Sequence, residues 1–175
     1  GGKREEHRTH PFDPFQGGVE VTIRVYKAQR ALEAWRDGRC VLRAGVSLGP
    51  GAAEGRKLRE GDLRTPEGGY FVCAKNASSK YYLSLGISYP NARDAREGFA
   101  RGEITGEQLE AIISAEIGRR RPDWDTPLGG FVMIHGEHPG GRTGDWTAGC
   151  AALKNADMRA LFEMAEIGDE VEILP

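Results

Sequence analysis

Residues 19–48 read VEVTIRVYKAQRALEAWRDGRCVLRAGVSL, and whether this stretch forms a helix or a hairpin decides the fold class. Val19, Val21, Ile23 and Val25 alternate with Glu20, Thr22, Arg24 and Tyr26, the period of a strand with one buried face. Residues 27–35 have helical propensity, yet Asp37-Gly38 stands between them and the β-rich Cys40-Val41-Leu42. Both residues of an Asp-Gly pair tolerate the positive φ that a two-residue hairpin turn demands, so a hairpin is the better reading. Its second arm is expected to run to about Leu48, before a Gly-rich loop that starts at Gly49-Pro50-Gly51 and ends at Gly61-Asp62.

Further strands are expected over residues 70–74 and 81–88, after the turn Thr65-Pro66-Glu67-Gly68. On the second of these, one of Tyr81 and Tyr82 should face the core and the other should not. Pro90 stops that strand and Asn91 caps a short helix to about Phe99. Thr105, three residues before Gln108, makes a capping box for a helix carrying Leu109, Ile112, Ile113 and Ile117 inward and ending in Arg119-Arg120-Arg121. Phe131-Val132-Met133-Ile134 reads as a buried central strand delivering His135 at its end, and a Gly-rich loop, 136–149, follows. Asn155 is placed as the cap of a last helix with Met158, Leu161, Phe162 and Ala165 inward, Gly168 as its stop, and Val171 and Ile173 in a closing strand. Strands dominate without βα alternation, which predicts a mainly β fold: an antiparallel β-sandwich or partly closed barrel with two or three flanking helices.

The chain has 175 residues, 39% hydrophobic and 29% charged, the scale of one domain. Residues 1–18 show no burying periodicity and read as a mobile arm or expression remnant, leaving 19–175 as the folded domain. Twenty-four basic against twenty-six acidic residues give a net charge of -2, without the basic excess of a nucleic-acid binder. No apolar run approaches the roughly 20 residues of a membrane span and no signal peptide opens the chain, so it is expected to be soluble as given. The Gly1-Gly2 start leaves a removed signal or anchor open.

Three cysteines, Cys40, Cys73 and Cys150, lack CxxC spacing. Cys40 and Cys73 read as buried strand residues, with a disulfide conceivable if their strands are neighbours. Cys150 alone sits in a prepared setting, Asp145-Trp146-Thr147-Ala148-Gly149-Cys150, fifteen residues after His135. A cysteine nucleophile needs an imidazole to take its proton and backbone N–H groups aimed at the oxyanion. His135 and the amides of Gly149 and Cys150 answer that description.

The order His135-Gly136, a loop of about a dozen residues, then Thr147-Ala148-Gly149-Cys150 resembles the signature of the YkuD-type L,D-transpeptidase family. The likeness extends upstream through Val46-Ser47-Leu48-Gly49, residues 61–68 and Leu85-Gly86-Ile87-Ser88-Tyr89-Pro90-Asn91, and so covers about residues 19–175. It implies acyl transfer on peptidoglycan stem peptides. Cys150 attacks the diaminopimelate carbonyl that precedes D-Ala, and His135 acts as base and then acid. The resulting thioester passes to an amine or to water. It also implies Gly149, Gly136, Thr147 and Trp146 as oxyanion or substrate-binding candidates, no cofactor, and a periplasmic or cell-envelope location. Stem peptides are the implied partners, with a wall-linked lipoprotein as a further one. A main-chain carbonyl near Gly136 is expected to hold the second imidazole nitrogen. Ala148 and Ala152 depart from the His and the Arg or Asn that many members carry there.

Some readings remain open beside these. Trp146 either floors a peptide groove or packs the loop. Asp145 reads more readily as a solvated loop acid than as an orienter of the imidazole, and His138 reads as exposed. The alternatives are a carboxypeptidase or amidase using the same Cys and His, a non-catalytic peptidoglycan-binding module, and a zinc site of His135, His138 and Cys150.

Overall fold

The computed structural model describes residues 20–175. The arm read from residues 1–18, and Val19, lie outside the described residues. Eight strands occur in chain order: β1 (Thr22–Tyr26), β2 (Ala31–Arg36), β3 (Arg39–Gly45), β4 (Gly68–Ser79), β5 (Tyr82–Ile87), β6 (Met133–His135), β7 (Ala151–Ala152) and β8 (Glu170–Leu174). The helices are α1 (Ala92–Ala100), α2 (Gly106–Ile117) and α3 (Asn155–Met164), with a 3-10 turn at Ala52–Glu54.

The hairpin reading of the opening stretch holds. Asp37 and Gly38 adopt φ of 51° and 71° and join β2 to β3, while Ile23, Val25, Leu32 and Ala34 point into the core. The strands form one sheet in the order β3-β2-β1-β8-β4-β5-β6-β7. Pairing is antiparallel except for β1 with β8 and β6 with β7. The sheet curls until its two ends meet. Just past β3, Ser47 bridges Ala152 of β7 through two 2.9 Å backbone bonds. The fold is therefore the partly closed barrel of the two architectures expected, with Tyr89, Met158 and Leu161 filling it beside the strand residues.

The capping box read for α2, Thr105 with Gln108, is present, and Asn91, read as the cap of α1, forms a capping box of its own with Asp94. Ala95, Ile104, Ile112 and Leu128 make a second, smaller cluster where these helices meet.

Several readings are corrected. The α2 stripe is narrower than its spacing suggested, since Ile117 is 79% exposed, and α2 ends before the arginines. Those arginines leave the helix axis: Arg119 bonds Gly168 O and pairs with Glu170, and Arg121 lies over the Trp124 ring. Residues 131–134 are not one buried strand. Phe131 takes φ of 54° and is 56% exposed, and β6 is next to the end of the sheet order rather than central. Lys154, not Asn155, is the N-cap of α3. Asn155 instead accepts Glu137 N–H on its Oδ1 at 2.9 Å, and Glu137 accepts Asn155 N–H at 2.7 Å, which fastens the start of loop 136–149 to the helix. Cys40 is exposed and Cys73 half-buried, both are free thiols, and β3 and β4 are not neighbours, so the disulfide is excluded. Neither Tyr81 nor Tyr82 faces the core, because Tyr82, the first residue of β5, adopts φ of 72° and breaks the alternation.

Candidate active site

The pairing of β6 with β7 sets Ile134 opposite Ala151 and His135 opposite Ala152, so the imidazole and the cysteine that precedes β7 are delivered by adjacent strands. His135 is 3% exposed. Its Nδ1 lies 2.8 Å from Gly136 O, the main-chain carbonyl foreseen for it. A carbonyl only accepts, so Nδ1 carries the proton and Nε2 keeps the lone pair. Gly136 is itself held by its N–H to Tyr81 O at 2.8 Å. Burial pushes the imidazole below the usual histidine range, outweighing the opposing effect of the Gly136 carbonyl.

The Cys150 thiol accepts Met133 N–H at 3.3 Å and faces Phe131 O at 3.6 Å. Burial raises its pKa above the ordinary thiol value, with the Met133 N–H and the Lys57 charge pulling the other way. Burial thus favours the neutral form of each group, the imidazole and the thiol.

Loop 145–149 is built from internal ties. Thr147, buried, donates from Oγ1 to Cys150 O at 2.7 Å and accepts Gly149 N–H at 3.2 Å. Its hydroxyl is thus committed to the turn, and so is the Gly149 amide in this state. Thr65 Oγ1 donates to Gly149 O at 2.9 Å. A trans peptide points its N–H opposite to its C=O, so this bond turns the Cys150 N–H away from the buried Thr65. Gly149 has φ of 132°, and a Cβ there would stand 2.6 Å from Arg64 O, so the turn has room for glycine only.

Asp145 is neither a solvated acid nor an orienter of His135. Its carboxylate takes Arg30 Nη2 at 2.8 Å and Leu48 N–H at 3.0 Å, and the guanidinium holds its pKa below the usual carboxylate range. The clamp joins the cysteine loop to the β1–β2 turn.

Trp146 packs the loop against the aromatic side chains around it. Its ring meets His135 at 5.5 Å and Tyr81 at 5.3 Å between centroids, and it also lines a cleft of about 520 Å³ together with Ala152. His138, expected to be exposed, is half-buried with its ring edge-on to Trp146 at 5.1 Å. Among the described residues no three His, Cys, Asp or Glu side chains are gathered that could hold a metal, so the His135, His138 and Cys150 zinc arrangement is not assembled.

Sequence reasoning missed Tyr81, Thr65 and Arg30. Tyr81 stacks on His135 at 4.4 Å, a contact created by the turn geometry before β5. Thr65 and Arg30 lie 84 and 115 residues from their partners, beyond the reach of any local spacing. The only signal for Thr65 was its place in the turn before Gly68.

Comparison with known proteins agrees with this geometry. The YkuD family, an L,D-transpeptidase catalytic domain, matches residues 20–173. Escherichia coli (strain K12) has a relative named "Putative L,D-transpeptidase YafK", 30% identical over 157 residues and covering 83% of this chain and 47% of that protein. Among solved structures, the helical cell shape determining protein Pgp2 from Campylobacter jejuni superposes with a TM-score of 0.62 at 22% identity, covering 88% of this chain and 47% of its own. Bdellovibrio bacteriovorus Bd1075 superposes at 0.58 and 21% identity, covering 89% and 48%. These two establish the shared fold, and the chain spans less than half the length of the relatives it matches. With the match running across nearly all described residues, the chain belongs to the YkuD family of L,D-transpeptidase catalytic domains.

Proposed function

We propose that the domain carries out cysteine-dependent acyl transfer on peptidoglycan stem peptides, with Cys150 as nucleophile and His135 as its base. The observation that carries this reading is the His135 Nδ1 bond to Gly136 O, which leaves a buried, neutral Nε2 as the proton acceptor on the strand beside Cys150. A neutral base and a protonated thiol are the forms a proton transfer on substrate binding requires.

In the first half-reaction the thiol proton passes to Nε2 and sulfur attacks the diaminopimelate carbonyl. The oxyanion is met by the Cys150 N–H, joined by Gly149 N–H if Thr147 releases it. The amide C–N bond then breaks, Nε2–H protonates the departing D-Ala amine, and a thioester remains on Cys150. In the second half an amine acceptor loses its proton to Nε2 and takes the acyl group. Water in the same place gives the trimmed stem, and a wall-linked lipoprotein on the substrate makes the same step a release reaction. Such a substrate sets the site of action in the cell envelope, the periplasm in a diderm.

Incubation with disaccharide-tetrapeptide muropeptides, analysed by mass spectrometry, tests the reading. Cross-linked dimers that vanish with Cys150→Ala support transfer. Tripeptide alone moves the reaction to carboxypeptidase, and unchanged muropeptides overturn the stem-peptide reading.

A further inference from the structure

Ile134 lies in the barrel core, so Met133 and His135, its neighbours on β6, project from the opposite, outer face of the sheet. Gly86, paired with Met133 and set between the core residues Leu85 and Ile87 of β5, faces the same way. A Cβ on Gly86 would meet the Trp124 ring at 3.2 Å and the Met133 sulfur at 3.4 Å, which puts the indole on that outer face beside Met133. The Phe131 ring stands against the indole, 4.8 Å between centroids. A row of side chains results, with His135 stacked on Tyr81 at one end and Phe131 on Trp124 at the other. The thiol contacts the backbone between those ends, at Met133 N–H and Phe131 O.

Phe131 is 56% exposed, and its φ of 54° is a backbone conformation that strains a bulky L-residue. The residues before it hold it there. Gly129 takes φ of 85°, and a Cβ on Gly130 would stand 2.4 Å from the Trp124 side chain, so the backbone packs directly on Trp124 before it turns Phe131 outward. Strain and an apolar ring left in water thus coincide at the residue whose carbonyl faces the nucleophile.

We propose that Phe131 is a specificity-determining residue for the acyl donor, its ring receiving the aliphatic side chain of the residue whose carbonyl Cys150 attacks. This role rests on the acyl-transfer reading, and proton transfer gives its direction. The departing amine takes its proton from His135 Nε2, so it leaves at the His135 end of the row. The acyl residue extends the other way, toward Phe131. The methylenes of a diaminopimelate side chain cover the exposed ring there and take apolar surface out of water, whereas a methyl side chain is too short to do so.

The test uses Cys150→Ala protein, which forms no thioester, and calorimetric titration with two tetrapeptide stems, one with diaminopimelate and one with alanine at the third position. The diaminopimelate stem is expected to bind on the order of tenfold more tightly, the scale of about two buried methylenes. In Cys150→Ala/Phe131→Gly protein, whose glycine accepts the positive φ, the two stems should bind alike. Cys150→Ala/Phe131→Tyr protein keeps the ring and should keep the preference. A role confined to the local backbone would weaken both stems equally and leave their ratio standing. Equal affinity of the two stems for the Cys150→Ala protein, no binding of either, a preference that survives Phe131→Gly, or one lost in Phe131→Tyr overturns the assignment. Turnover by the wild-type protein is scored separately: stems processed through Cys150 with equal kcat/KM sink the role of Phe131 and leave the acyl-transfer reading standing. A ring-dependent binding preference without any turnover leaves the Phe131 contact standing and removes the acyl transfer.

Discussion

The hydroxyl of Thr65 donates a 2.9 Å hydrogen bond to the carbonyl oxygen of Gly149, and so fixes the peptide plane whose other end is the Cys150 N–H. Thr65 is 1% exposed, and no solvent competes for the bond. Replacing it with the near-isosteric valine keeps the packing and removes the tie. Under the proposed acyl transfer Thr65→Val should lower kcat about tenfold with KM little changed, since the loss then falls on an oxyanion donor rather than on substrate contacts. Equal kcat in the two proteins would show that the Gly149–Cys150 peptide is held by the turn alone.

His135 has its pKa lowered from the usual 6.5 by burial. The unfolded chain therefore takes this proton first as pH falls. The stability gained by burying a neutral ring is fully present above about pH 6.5 and declines below it. Tm measured against pH should fall more steeply below that point in the wild-type protein than in His135→Gln. The same substitution should cut turnover by about 10² to 10⁴, the usual worth of a general base. Parallel Tm curves for the two proteins would contradict the assigned direction.

The resting thiol of Cys150 is raised by burial, so its alkylation by iodoacetamide should have a midpoint above the ordinary thiol value of 9.0. A Cys40→Ser/Cys73→Ser protein isolates the signal, because Cys40 is exposed and would react first. Rapid alkylation at pH 6 would mean a resting thiolate–imidazolium pair instead.

Arg30 and Asp145 join loop 145–149 to the β1–β2 turn across 115 residues. Both side chains are one-third exposed, so the ion pair itself contributes about 1 kcal/mol or less. Asp145→Ala should cost more, about 2 kcal/mol, because Leu48 N–H then also loses its acceptor. Asp145→Asn keeps an acceptor for Leu48 and should sit between the two in a denaturation series. An alanine variant as stable as wild type would remove the clamp from the account.

The strand pattern and the motif spacing made the barrel legible, and with it the delivery of His135 and Cys150 by neighbouring strands, because a two-residue period, an Asp-Gly turn and capping boxes are set by near neighbours. What was hidden depended on distant contacts. Asp145 looked solvated since Arg30 lies in another hairpin, and Tyr81 looked like an ordinary strand residue since its stacking on His135 needs the Tyr82 backbone at φ of 72°. Phe131 was misplaced for the same reason: four apolar residues in a row signal burial, yet a left-handed backbone turns this ring outward against Trp124. Asn155 fits a cap by residue type, but the acceptor its side chain provides is used by Glu137 of the preceding loop.

The central claim is that Cys150 carries the acyl group. Intact-protein mass spectrometry of an acid-quenched reaction with tetrapeptide stems tests it most directly, followed by digestion to locate the modified residue. The account predicts a tripeptide acyl adduct on Cys150, lost in Cys150→Ala and strongly reduced in His135→Gln. Muropeptide turnover that persists in Cys150→Ala, or an adduct on Cys40 or Cys73 alone, would contradict it.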